Sequence, residues 1–132
     1  MSIDVKICGL SDPAAVASAV EGGAAMVGFV FFPASPRHLT PQQAAALTGD
    51  VPDNIIRVAL TVDADDALLA DIAATAGIDM LQLHGQETPE RVKAIRARNG
   101  MPVMKMLPIA AAADVAGPEA YEDVADRFLF DA

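Results

Sequence analysis

Short, nearly unbroken apolar runs alternate along the chain with longer segments in which apolar residues recur at helical spacing. The runs span residues 5–8, 26–32, 55–62, 80–84, 103–107 and 128–131. Such continuous apolar character predicts parallel strands covered by helices rather than strands with one wet face. Their recurrence at roughly 20 to 30 residues matches the length of a βα unit. Helix starts stand between them. Asp12-Pro13, Thr40-Pro41 and Thr88-Pro89 each put a capping side chain before a proline at the first helical position, and Gln43 completes a capping-box pattern with Thr40. The predicted helices cover residues 13–21, 41–47, 65–76 and 89–99. A weaker fifth lies between 110 and 124, interrupted at Gly117-Pro118.

No composition shift, linker or close repeat divides the chain, so residues 1–132 are expected to form a single α/β domain. Two architectures fit: an open doubly wound sheet or a closed (β/α)8 barrel. Neither GxGxxG nor GxxxxGK[ST] occurs, which leans toward the barrel.

Composition narrows the function classes. Aromatic residues make up 5% and Trp is absent, so Ala, Val, Ile, Leu and Met must fill the core. A formal net charge of -9 offers no basic face for a nucleic-acid backbone. An anionic ligand would have to be met by individually placed cations. One cysteine permits neither an internal disulfide nor a multi-cysteine metal cage. No apolar run approaches the roughly 18 residues of a membrane span, and a cytoplasmic location without a membrane partner is expected.

Strand parity locates the candidate chemistry, because residues two apart share a face. Lys6 pairs with Cys8, Gln82 with His84, and Leu129 with Asp131; in a barrel these face the interior while Val5, Ile7, Leu81, Leu83, Phe128 and Phe130 face the helices. Cys8, His84 and Asp131 fall at C-terminal strand ends, where barrel enzymes place their active sites. Singly, each has an ordinary structural explanation: a small buried hydrophobe for Cys8, a turn or cap residue for Asp131, a loop start for His84, and a solvated loop cation for Arg37. Lys105 reads either as an interior charge or as a snorkelling side chain.

Taken in order, the motifs carry more. Lys6-Ile7-Cys8-Gly9-Leu10 resembles the opening strand of phosphoribosylanthranilate isomerases, and Gly28-Phe29-Val30-Phe31-Phe32-Pro33 with Ser35-Pro36-Arg37 resembles that family's second strand and following loop. Gln82-Leu83-His84-Gly85 is similar to the end of its fourth strand, and Phe130-Asp131-Ala132 to the end of its sixth. The resemblance implies a (β/α)8 TIM barrel, incomplete here after six strands. It also implies an Amadori rearrangement of N-(5-phosphoribosyl)anthranilate in tryptophan biosynthesis, without metal or organic cofactor. By resemblance Cys8 is the general base, Asp131 the general acid and Arg37 the partner of the anthranilate carboxylate; Lys6, Gln82 and His84 line the substrate site. Lys6 is expected to favour the Cys8 thiolate, and partial burial or a nearby anion to keep a proton on Asp131. Strands three (Ala59-Leu60-Thr61-Val62) and five with its loop (Pro108, Ala110–Ala113) depart from the family pattern without removing a catalytic group.

The family continues for about two more βα units, which hold the substrate phosphate at glycine-rich loops and helix N-termini. The chain is therefore expected to be part of a longer protein, since six strands alone leave two open edges prone to aggregation. Two alternatives remain: another sugar-phosphate barrel enzyme using carboxylates or lysines, and a non-catalytic binding module on a partial barrel. The sequence carries no signal for oligomeric state.

Overall fold

The computed structural model describes residues 2–132. Six strands form one sheet in the order β1-β2-β3-β4-β5-β6, every pair parallel: β1 (Lys6–Ile7), β2 (Met26–Phe31), β3 (Ile56–Thr61), β4 (Met80–Leu83), β5 (Val103–Pro108) and β6 (Arg127–Asp131). Helices α1 (Pro13–Glu21), α2 (Pro41–Thr48), α3 (Asp66–Thr75) and α4 (Pro89–Asn99) alternate with the first five strands. Sequential order and parallel pairing make this a half-barrel. Its concave face carries the candidate site and its convex face carries the helices.

The caps act where the sequence places them. Asp12, Thr40, Asp65 and Thr88 each accept a backbone N–H in the first turn of their helix. Around Thr40 both halves of the capping box form, with Gln43 N–H donating to Thr40 Oγ1 at 3.1 Å and Thr40 N–H to Gln43 Oε1 at 2.9 Å. Thr40→Ala is expected to lower stability by about 1 kcal/mol, read as a smaller urea midpoint with an unchanged slope.

Two apolar layers divide the core. Val27, Phe29, Phe31, Leu81, Leu83 and Val103 point outward from the strands and meet helix residues such as Val16, Leu47, Leu69, Ile72, Val92 and Ile95. Burial of each large aliphatic is worth about 1.5–3 kcal/mol, so this layer holds the helices on. On the concave face Met26, Val58, Met80 and Met104 form a smaller cluster, joined by Ile56 and Leu129. Parity therefore holds as expected, with Leu129 facing inward and the Phe128 and Phe130 rings stacked outside, centroids 6.3 Å apart.

Residues 112–121 correct the sequence reading. Ala112–Tyr121 is a 3-10 segment, not an interrupted α-helix, and none of its residues is fully buried. Pro118 inside it lacks an N–H and its ring crowds the carbonyl of residue 114. Only Tyr121 at the end of the segment packs against the apolar core, and the Ala-rich remainder stays largely exposed. Its ends are pinned instead: Asp114 Oδ2 accepts the N–H groups of Ala110 and Ala111, and Tyr121 Oη donates to Glu87 O at 2.8 Å. Those two N–H bonds hold the Asp114 carboxyl below its usual range.

Of the two readings of Lys105 the structure bears out the interior charge, since the side chain is buried and does not snorkel to solvent. It sits on the convex side of β5, in line with outward-facing Leu83, and its Nζ pairs with Glu87 Oε1 at 2.9 Å. Glu87 was not singled out in the sequence, although a lysine inside an otherwise apolar strand demands a buried anion nearby.

The outer strands are the least covered. Among the described residues β1 and β6 each pair on one side only. Val5, Ile7 and Phe130 beside them are 49%, 39% and 58% exposed, which marks these edges as the incompletely covered part of the molecule.

Candidate active site

Cys8, Arg37, His84 and Asp131 lie at the C-terminal end of the sheet, while Lys6 opens β1 and Gln82 lies within β4 on the same concave face. Cys8 follows β1 directly. The chain then turns at Gly9, whose φ of +79° suits glycine, and both Gly9 and Leu10 donate to Gly28 O at 3.0 Å. Gly28 makes room at the base of this corner. A Cβ there would stand 3.0 Å from Cys8 Sγ and 3.2 Å from Lys6 Nζ, so both side chains border the space the missing side chain leaves. Gly28 went unassigned in the sequence, although a lone glycine within an apolar strand signals a close approach.

Arg37 closes the same corner from above. Its guanidinium lies over Gly9, where any Cβ would collide with it, and Nη1 reaches Cys8 O at 3.4 Å. Ser35 Oγ accepts Arg37 N–H at 3.1 Å and shapes the loop that presents the side chain. The guanidinium otherwise remains exposed and so has donors left for a carboxylate.

The other half of the site is a line of three side chains. Gln82, 1% exposed, places Nε2 3.1 Å from His84 Nδ1, and His84 Nε2 lies 3.7 Å from Asp131 Oδ2. Burial holds His84 below its ordinary value of 6.5; Asp131 opposes this, Lys105 and Lys6 add to it, and Glu87 opposes it. The neutral ring is therefore favoured at pH 7, so the contact with Asp131 is not an ion pair. Because the folded-state value is depressed, the unfolded chain binds the extra proton first as pH falls. The contribution to stability is full above 6.5 and is lost progressively below it. NMR titration should place the midpoint of His84 below that of an unfolded histidine; a midpoint above it contradicts the burial.

The expected burial of Asp131 is not met among the described residues, since its side chain is 56% exposed. Its neighbour is an imidazole rather than an anion. Cys8, Lys6 and Arg37 on one side and Gln82, His84 and Asp131 on the other thus face each other across the open concave mouth. A cleft of about 570 Å³ lies between α4 and the N-terminal ends of β5 and β6, lined by Lys93, Arg96 and Asp126. It is at the opposite end of the sheet from Cys8, Arg37, His84 and Asp131, and we place the site by the convergent side chains instead. Among the described residues no three His, Cys, Asp or Glu side chains are grouped to hold a metal, and no helix is long and apolar enough to cross a membrane.

Residues 5–132 match the family model described as N-(5'phosphoribosyl)anthranilate (PRA) isomerase. The chain belongs to the phosphoribosylanthranilate isomerase family. An N-(5'-phosphoribosyl)anthranilate isomerase of Brucella canis is 53% identical over 132 residues, covering 100% of this chain and 60% of the relative. The phosphoribosyl anthranilate isomerase of Thermotoga maritima superposes with a TM-score of 0.90 at 30% identity, covering 98% of this chain and 62% of that one. A phosphoribosyl anthranilate isomerase in complex with reduced 1-(o-carboxyphenylamino)-1-deoxyribulose 5-phosphate also gives a TM-score of 0.90 at 30% identity, covering 98% of this chain and 65% of that one. The chain thus spans about three-fifths of the length of the isomerases it matches.

Proposed function

We propose that this chain supplies the acid–base half of a phosphoribosylanthranilate isomerase and works within a closed (β/α)8 barrel. The observation that carries the reading is the placement of Cys8 and Asp131. They stand at the C-terminal ends of β1 and β6, facing one concave mouth, with Lys6 Nζ bordering the same space over Gly28 as the thiol and an exposed guanidinium above. Family membership and the isomerase bound to a reduced product analogue support the choice of substrate.

The chemistry assigns one task to each group. Asp131 gives its proton to the furanose ring oxygen as the C1–O bond breaks, and the aryl nitrogen lone pair forms a protonated imine. Cys8, as thiolate, takes the proton from C2; that electron pair forms the C1–C2 double bond and neutralises the nitrogen. The resulting enolamine gains a proton at C1 and loses one from its C2 hydroxyl, leaving the ketone. Lys6 stabilises the thiolate from the position Gly28 leaves open. Arg37 meets the planar anthranilate carboxylate with its fork of N–H donors. No cofactor enters the scheme.

The substrate is a small molecule, and the reading requires neither nucleic acid nor a membrane. The reading sets the reaction in the cytoplasm, and in a chain of net charge -9 Lys6 and Arg37 are the local cations that receive an anion. Phosphate binding falls to strands seven and eight, which pair with the open edges of β1 and β6.

The test is turnover of phosphoribosylanthranilate, with the product identified as the ketose by NMR. This chain is compared with the same chain joined to the C-terminal segment of the Brucella canis relative. Ketose formation by the joined chain supports the reading. Tight binding of the reduced product analogue with no ketose formed by either chain would instead establish a binding module.

A further inference from the structure

Gln82 and His84 stand in the site without a chemical step, yet their geometry is specific. The Gln82 side chain is almost wholly buried, at 1% exposed, and its Nε2 lies 3.1 Å from His84 Nδ1. Its Oε1 is buried with no hydrogen-bond partner among the described residues. The amide thus spends its donor on the imidazole and leaves its acceptor unused. An Nδ1 that accepts an N–H carries no proton itself, so the proton of the neutral ring must sit on Nε2. Nε2 is the atom that points to Asp131 Oδ2, 3.7 Å away. The reverse amide orientation would put the proton on Nδ1 and leave Nε2 with no N–H to offer the carboxylate that forms on Asp131.

We propose that Gln82 is a positioning residue. It fixes His84 as the Nε2–H tautomer, which aims an N–H at Asp131 and receives the carboxylate formed when Asp131 gives up its proton.

The separation of 3.7 Å is longer than a hydrogen bond. The contact therefore strengthens as charge develops on Asp131, which is the condition for lowering a barrier rather than merely binding the ground state. A neutral donor suits this task better than an imidazolium, which would hold Asp131 ionised before the reaction and disable it as an acid. The surroundings favour the neutral ring chiefly through its burial; Asp131 from β6 opposes this, Lys105 from β5 and Lys6 from β1 add to it, and Glu87 from the loop before α4 opposes it. The burial of Gln82 keeps competing water from its amide.

This role rests on the isomerase reading, but its first test does not need turnover. The chain has two histidines, so ¹⁵N-detected imidazole spectra above the His84 midpoint resolve two rings. Wild type is expected to show His84 protonated at Nε2. Gln82→Met, which keeps the volume and removes the donor, is expected to shift the ring toward a mixture with Nδ1–H. A wild-type ring protonated at Nδ1 overturns the proposal, as does a tautomer unchanged in folded Gln82→Met. In the joined, active chain Gln82→Met is expected to lower kcat by about tenfold with KM little changed, the scale of one lost hydrogen bond. A change in KM alone contradicts the positioning role. Absence of turnover in wild type with the expected tautomer would count against the isomerase reading alone.

Discussion

Cys8→Ala in the joined, full-length barrel is expected to lower turnover of phosphoribosylanthranilate by about 10²- to 10⁴-fold, the usual contribution of a placed general base. Asp131→Asn should cause a loss of similar size, because an amide has no acidic proton for the ring oxygen. KM should change little in either case, since Arg37 and the phosphate-holding strands supply the binding. The double variant should be barely worse than the worse single one, because the two groups act in one sequence and their effects are not additive. Steady-state rates on the four proteins check this. Near-normal activity in Cys8→Ala would point to a sugar-phosphate barrel enzyme that relies on carboxylates or lysines.

The largest stability effect is expected at Lys105. Its ammonium and the Glu87 carboxylate are 3% and 2% exposed and 2.9 Å apart. Lys105 Nζ also donates to Gly85 O at 2.8 Å, while Glu87 accepts the N–H groups of Gly85 and Asp63, each at 2.9 Å. The pair therefore ties β5 to the loops after β3 and β4, the second of which begins at His84. Lys105→Met leaves the carboxylate buried without its cation. Such a break costs about 3–5 kcal/mol, a large share of the 5–15 kcal/mol that about holds a domain together. Adding Glu87→Gln should recover part of the loss, because the stranded charge is gone. Urea unfolding of the wild type, both single variants and the double variant measures this. An unchanged midpoint in Lys105→Met would show that the pair contributes nothing net.

What the sequence disclosed and what it withheld follow from how local each determinant is. Asp12-Pro13 and Thr88-Pro89 placed their helix starts correctly, because a cap and a proline at the first position act within one turn. Strand ends moved by a residue or two because they depend on the neighbour. The first strand was expected over 5–8 but pairs only at Lys6–Ile7, having one partner strand. Parity put Lys6 with Cys8 and Gln82 with His84 on the concave face, since alternation is a property of the strand itself.

Contacts between distant segments were not legible. Arg37 lying over Gly9, Glu87 meeting Lys105, and the line from Gln82 through His84 to Asp131 arise only once the sheet is assembled. The 3-10 segment escaped for the opposite reason. Its Ala-rich run has helical propensity, but it buries none of its residues fully and carries Pro118 within it.

The most direct test follows the proton at ribose C2. Phosphoribosylanthranilate deuterated at C2 is given to the joined barrel and to its Cys8→Ala variant, and the label at C2 is followed by NMR. The account predicts a primary isotope effect on wild-type turnover, and a C2 label retained by Cys8→Ala while the reduced product analogue still binds. Loss of the label at the wild-type rate in Cys8→Ala would contradict it, and the base would have to be sought elsewhere in the barrel.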